Sequence, residues 1–123
     1  MIAVIFEVEP AAGQEAAYLD IAAELRPLLD GIEGFISVER FRSIANPGKV
    51  LSLSFFENED AVIRWRNTVE HRQAQARGRA GIFSGYRLRI ATVMRDYGMS
   101  EREQAPSDSR AVHASCPANC RGD

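Results

Sequence analysis

The residue types best suited to chemistry crowd into one stretch. Trp65–Tyr97, WRNTVEHRQAQARGRAGIFSGYRLRIATVMRDY, holds the sole Trp of the chain and one of its two His. From Ile63 to Arg95 there are eight Arg and one Glu, a balance of +7. An imidazole with an unperturbed pKa of about 6.5 exchanges protons near neutrality. An indole offers a flat apolar wall, and a guanidinium stabilises a developing anion. Proton transfer on a bound aromatic or anionic molecule is therefore within reach of His71, Trp65 and their neighbours. Each has a plainer reading: a lone Trp on an amphipathic helix anchors a core, His71 beside Glu70 can be a solvated or capping residue, and the strand arginines can pair with acids.

Such acids are available. From Met1 to Val62 there are four Arg/Lys against eleven Asp/Glu, a balance of -7, and the whole chain carries -2. The two halves are expected to neutralise one another inside a fold or across a subunit interface. A net acidic balance argues against a dedicated nucleic-acid binder, although an anionic small molecule suits the same arginines. At 123 residues, 46% hydrophobic and 26% charged, the chain has the composition of one soluble domain. No apolar run approaches the roughly 20 residues of a membrane span, and Glu7 and Glu9 interrupt any secretory signal, so no membrane partner and a cytoplasmic address are expected.

Periodicity supplies the elements that must position these residues. Ile2, Val4, Phe6 and Val8 alternate on one face of a strand that Pro10 ends. From about Gly13 the spacing is helical, with Ala17, Ile21, Leu25, Leu28 and Ile32 as an apolar stripe. Pro27 predicts a kink or an early end near Arg26. Phe35–Ser43 and Val50–Phe56 read as strands joined through the turn Ala45-Asn46-Pro47-Gly48, a hairpin. Asn58, Glu59 and Asp60 start a helix, and the Asn67 to Glu70 spacing resembles a second capping box. Two short helices are expected, about Glu59–Arg66 and Thr68–Arg79, followed by a strand over Tyr86–Tyr97. On that strand Leu88, Ile90 and Met94 share one face, and Arg87, Arg89, Val93 and Arg95 the other.

The order β-α-β-β-α-β predicts an α+β, ferredoxin-like fold: an antiparallel four-stranded sheet with helices on one face. The other face is left with apolar and aromatic residues, which a dimer stacking those faces would cover. With that order, the runs WRNTVEHRQAQARGR at Trp65–Arg79 and YRLRIATVMRDYG at Tyr86–Gly98 resemble the antibiotic biosynthesis monooxygenase domain of the dimeric α+β barrel superfamily. The resemblance covers Met1–Gly98 and is more specific for fold than for reaction. It implies a homodimer with a pocket between sheet and helices. Its members include cofactor-independent monooxygenases of polycyclic aromatic or quinol substrates, haem-degrading enzymes and proteins without an assigned activity.

For a cofactor-free oxygenation of a small aromatic or quinol, an apolar slot must hold the substrate, a base must take a phenolic proton, and the resulting anion reacts with oxygen. The expected base is His71. Trp65 with Phe83 or Tyr86 would wall the slot, and Arg72 or Arg89 would stabilise the oxyanion. Haem degradation fits less well, because Trp and His are closer together than in that branch and the first strand has Glu7 where an Asn is wanted. No cofactor or metal is therefore expected. A non-catalytic dimeric module that binds a small ligand or regulates is the other reading.

The composition changes after Gly98, and residues 99–123 read as a tail, flexible or laid on the partner subunit. Both cysteines, Cys116 and Cys120, fall here. With His113 they make a loose metal half-site lacking a fourth ligand.

Overall fold

A computed structural model describes residues 1–113, so Cys116, Cys120 and the closing Arg121-Gly122-Asp123 lie outside the described residues. Two compact units divide the chain, Met1–Thr92 and Val93–Asp123.

The first unit carries four strands and three helices: β1 (Ile2–Pro10), α1 (Glu15–Asp30), β2 (Phe35–Arg42), β3 (Val50–Phe56), α2 (Glu59–Arg66), α3 (Val69–Arg77) and β4 (Phe83–Thr92). The sheet order is β2-β3-β1-β4, with every neighbouring pair antiparallel. This is the ferredoxin-like arrangement that the element order predicts.

Residues alternate across the strands, and the even-numbered positions of β1 and β3 face the helices. Phe56 and Val8 are fully buried there, each contributing about 1.5–3 kcal/mol by leaving water. One core cluster gathers Leu29, Phe56, Ala61 and Val62, with Ile2, Val4, Phe35, Val38 and Trp65 against it. A second gathers Val8, Tyr18 and Val50, with Phe6, Ile82 and Phe83 against it. The opposite face takes the odd-numbered residues. Ala3, Ile5 and Glu7 of β1 stand beside Phe55, Leu53 and Leu51 of β3.

Three expectations shift. The helix α1 runs through Pro27 to Asp30, and its buried stripe is Tyr18, Ile21, Ala22 and Leu29 rather than one passing through Leu28, which is 43% exposed. Both sets fit a 3.6-residue turn and overlap at Ile21 and Leu25; packing against the sheet selects the one rotated toward Tyr18, Ala22 and Leu29. Regular alternation in β2 sets Ile36 and Val38 opposite Phe35, Ser37, Glu39 and Phe41, but the register skips a residue between Phe35 and Ser37, a bulge. Phe35 and Val38 thus both reach the helix side, and Ile36 is pushed out. Finally, β4 spans Phe83–Thr92 instead of Tyr86–Tyr97. The limit is its partner, because Ile2 pairs with Thr92 and β1 offers no strand residue for Val93 onward.

In the second unit, the short helix α4 (Ser107–His113) follows a stretch in which the Asp96 amide donates to Gln104 Oε1 at 2.8 Å. There the Arg102 guanidinium lies over the Tyr97 ring at 5.2 Å. No helix among the described residues is long and apolar enough to cross a membrane.

Candidate functional site

Between the helix-facing side of the sheet and the helices lies a cavity of about 240 Å³. Val4, Phe6, Ser52 and Ser54 form its floor, and Ile21, Leu25 and Leu29 of α1 cover it. The serines matter because β3 presents even-numbered residues here. Side chains as small as theirs leave the volume that a leucine would fill.

Trp65 and His71 close one end. Their rings lie 5.1 Å apart, tilted by 56°. The break between α2 and α3 brings them together. The Thr68 hydroxyl donates to the Trp65 carbonyl at 2.9 Å and accepts from the His71 amide at 3.2 Å, capping α3 as it ties off α2. The cap is therefore Thr68, one residue after the expected Asn67, whose side-chain oxygen instead accepts from Arg72 Nη2 at 2.8 Å.

His71 Nδ1 is buried and has no hydrogen-bond partner among the described residues. Burial lowers the pKa of this imidazole below its ordinary value; the Arg66 backbone carbonyl pulls the other way and the Arg72 charge adds to the lowering. Near neutrality the ring is consequently uncharged, with one nitrogen able to accept a proton.

Aromatic rings line the other end. Phe83 stands edge-on to Phe6 at 5.8 Å and to Tyr18 at 5.8 Å, and Tyr86 lies 5.5 Å from Phe6. The chain enters this cluster through a π-helical turn at Gly78–Ile82, in which Gly81 has φ 142°, a region that residues with a Cβ avoid. Gly78 is pressed against the Phe83 ring, so that a Cβ there would come within 2.3 Å of it. Tyr86, Leu88 and Ile90 border the cavity and remain exposed, which leaves it open along edge strand β4.

Of the six residues singled out in the sequence, His71, Trp65, Phe83 and Tyr86 line this one cavity. Two arginines do not. Arg72 is held by Asn67 and Gln75, and Arg89 sits on the opposite sheet face, 3.4 Å from Glu7. Alternation along β4 separates Arg89 from Tyr86 in the sequence itself. The cavity's own guanidinium groups come from Arg26, Arg40, Arg66 and Arg79, and Tyr18 is a further lining residue. Tyr18 belongs to the second of two overlapping apolar stripes on α1, and only packing against the sheet selects it. For Arg40 no local signal exists, because its direction depends on the bulge in β2.

Glu7 lies outside the cavity. Lys49, 3.2 Å away, and then Arg89 hold its carboxyl below the usual carboxylate range. On the first strand it is Phe6, not Glu7, that lines the cavity, so the position where the haem-degrading branch wants an Asn is turned away from it. Among the described residues no group of three or more His, Cys, Asp or Glu side chains is placed to hold a metal ion.

Comparison with known proteins agrees with this architecture. A family described as antibiotic biosynthesis monooxygenase matches residues 1–77. A protein of Pyricularia oryzae named jasmonate monooxygenase is 47% identical over 93 residues, covering 76% of this chain and 43% of that protein. The chain thus spans less than half of that relative's length. The Bacillus subtilis protein YqjZ, uncharacterized, is 30% identical over 81 residues, 66% of this chain and 69% of its own. Among solved structures, Rv0793 of Mycobacterium tuberculosis superposes with a TM-score of 0.70 at 12% identity, covering 79% of this chain and 98% of that one. SnoaB of Streptomyces nogalater, described as a cofactor-independent oxygenase, superposes at 0.68 and 12% identity, covering 77% and 94%.

Proposed function

Because the chain belongs to the antibiotic biosynthesis monooxygenase family, we propose that its cavity oxygenates a small aromatic or quinol molecule without a cofactor. The observation that carries this reading is a proton acceptor placed in an apolar slot: neutral His71, with Nδ1 unpartnered among the described residues, against the Trp65 ring.

The substrate lies on the floor of Val4 and Phe6, with Trp65 at one end. His71 takes a phenolic proton. The resulting anion is electron-rich and passes one electron to O₂, and the radical pair joins to a peroxide anion, which takes the proton back from His71 to become a hydroperoxide. Loss of water then leaves a carbonyl where the substrate carried CH₂. One O₂ is consumed and one water released for each CH₂ oxidised, so no outside reductant is needed. Low polarity favours the apolar substrate and O₂, while the lining guanidinium groups stabilise the anion.

The odd-numbered sheet face is the proposed homodimer contact. Ile5, Leu51, Leu53 and Phe55 share that face, and stacking two copies would bury it on both sides.

Oxygen uptake with a panel of quinols, anthrones and jasmonate, without added metal or flavin, tests the activity. Turnover that falls at least a hundredfold in His71→Ala is the expected result. Turnover unchanged in that variant would remove the base.

A further inference from the structure

We propose that the ligand of this cavity carries a carboxylate, held by Arg79 together with the Tyr86 hydroxyl at the end opposite His71. The inference deepens the reading above, because it takes the same cavity to be the ligand site.

The first observation is charge. Arg26, Arg40, Arg66 and Arg79 line the cavity, and none of its lining residues is acidic. The second is how the neighbouring cations are held. Arg77 meets Glu24 at 3.3 Å, Arg42 meets Glu15 at 2.6 Å, Lys49 and Arg89 share Glu7, and Arg26 at the cavity is paired with Asp30 at 3.0 Å. Arg40 and Arg79, two residues from Arg42 and Arg77 respectively, have no ion-pair partner among the described residues. Each is instead fixed by a phenol. Arg79 Nη1 donates to the Tyr86 hydroxyl at 2.6 Å, and Arg40 Nε donates to the Tyr18 hydroxyl at 3.2 Å.

Such an arrangement leaves donors free. A guanidinium has five N–H groups in a planar fork, and Arg79 uses one of them on Tyr86. The Tyr86 oxygen accepts that bond, so its own O–H remains available. Fork and hydroxyl together match the two oxygens of a carboxylate. Arg40, anchored on Tyr18, adds a second positive charge to the same cavity.

Spacing then sets the ligand's shape. His71 and Arg79 are eight residues apart along α3 and its π-helical extension, about 12 Å at 1.5 Å per residue. The ligand that reaches both is a flat apolar body of one or two rings with its carboxylate at the far end from the reacting carbon. Because Tyr86 borders the open side, that carboxylate stays next to water, which limits its desolvation cost.

Binding followed by quenching of Trp65 fluorescence tests this, since Trp65 is the sole Trp and lines the cavity. The probes are 2-naphthoate and 2-naphthamide, equal in size and differing in charge. The expected result is at least tenfold tighter binding of the carboxylate at pH 7. Arg79→Met should bring the two affinities level by weakening the carboxylate alone, while Arg79→Lys keeps part of the preference. Arg77→Met, which removes a cation already paired outside the cavity, should leave the ratio unchanged. Equal affinities in the unaltered protein, or a preference that survives Arg79→Met, would overturn the proposal. Should Arg79→Met not fold, Tyr86→Phe must still reduce the ratio. A carboxylate preference without oxygen uptake would sink the oxygenase reading and leave this one standing; oxygen uptake on neutral quinols with no such preference would do the reverse.

Discussion

Trp65 and His71 are joined twice: their rings meet at 5.1 Å, and one hydroxyl, that of Thr68, bridges the carbonyl of the first to the amide of the second. The helix break is thus part of the site. Thr68→Val keeps the shape and removes both bonds. It should cost about 1 kcal/mol of stability through the lost cap and lower turnover by more than that loss accounts for, whereas Thr68→Ser should restore both. Urea unfolding beside oxygen uptake separates the effects; a Val variant as active as the parent would detach the cap from the site.

The lowered pKa of His71 gives folding stability a pH dependence of known sign. The unfolded imidazole titrates near about 6.5 and the folded one below it. As pH falls through the unfolded value, the unfolded chain takes up the proton first and stability declines, until the folded ring is protonated too. Well above about 6.5 neither state holds the proton and this residue contributes no slope. Urea midpoints across this window should show the decline in the parent and a shallower one in His71→Gln. Identical slopes in the two would refute burial as the cause.

Gly78 and Phe83 touch too closely to admit a methyl group. Gly78→Ala should destabilise the fold by about 1–3 kcal/mol, the usual range for forced overpacking, and displace the ring that walls the aromatic end. Adding Phe83→Leu should recover part of that stability but not the binding of a flat ligand. Thermal unfolding and the naphthoate titration together check both halves.

Ser54 sits on the cavity floor, buried on the helix side of β3. Ser54→Leu should fill the space, abolish ligand binding and leave the unfolding midpoint unchanged or higher, because apolar area replaces a hydroxyl. A variant that still binds 2-naphthoate would move the site elsewhere.

Leu53 faces the other way, beside Ile5. If that face joins two protomers, Leu53→Asp would place a charge in the contact and halve the mass seen by light scattering. A parent that is already monomeric at micromolar concentration would end the dimer proposal.

Local signals carry the element order and several boundaries: Val50–Phe56 and Glu59–Arg66 begin and end where alternation, Asn58 and the acidic first turn place them. Tertiary partners decide the rest. The alternating pattern continues beyond Thr92, yet a strand needs a neighbour and β1 has none left to offer. The rotation of α1 depends on which of two overlapping stripes meets the sheet, and that choice brings Tyr18 into the site. His71 and Trp65 stand out in the sequence by rarity and Tyr86 by the alternation of β4, and with Phe83 they line one cavity. Arg40 and Arg79 are not, since nothing in a single sequence distinguishes a guanidinium facing a cavity from one facing an acid.

The extra residue at Phe35–Ser37 acts as a half-period phase shift. With Phe35 anchored in the core, uninterrupted alternation would turn Ser37, Glu39 and Phe41 toward the helices and send Arg40 to the far side. The bulge reverses that assignment, so a single skipped residue at one end of β2 determines whether this edge strand contributes a cation or an anion to the pocket, and with it the polarity of molecule that can enter.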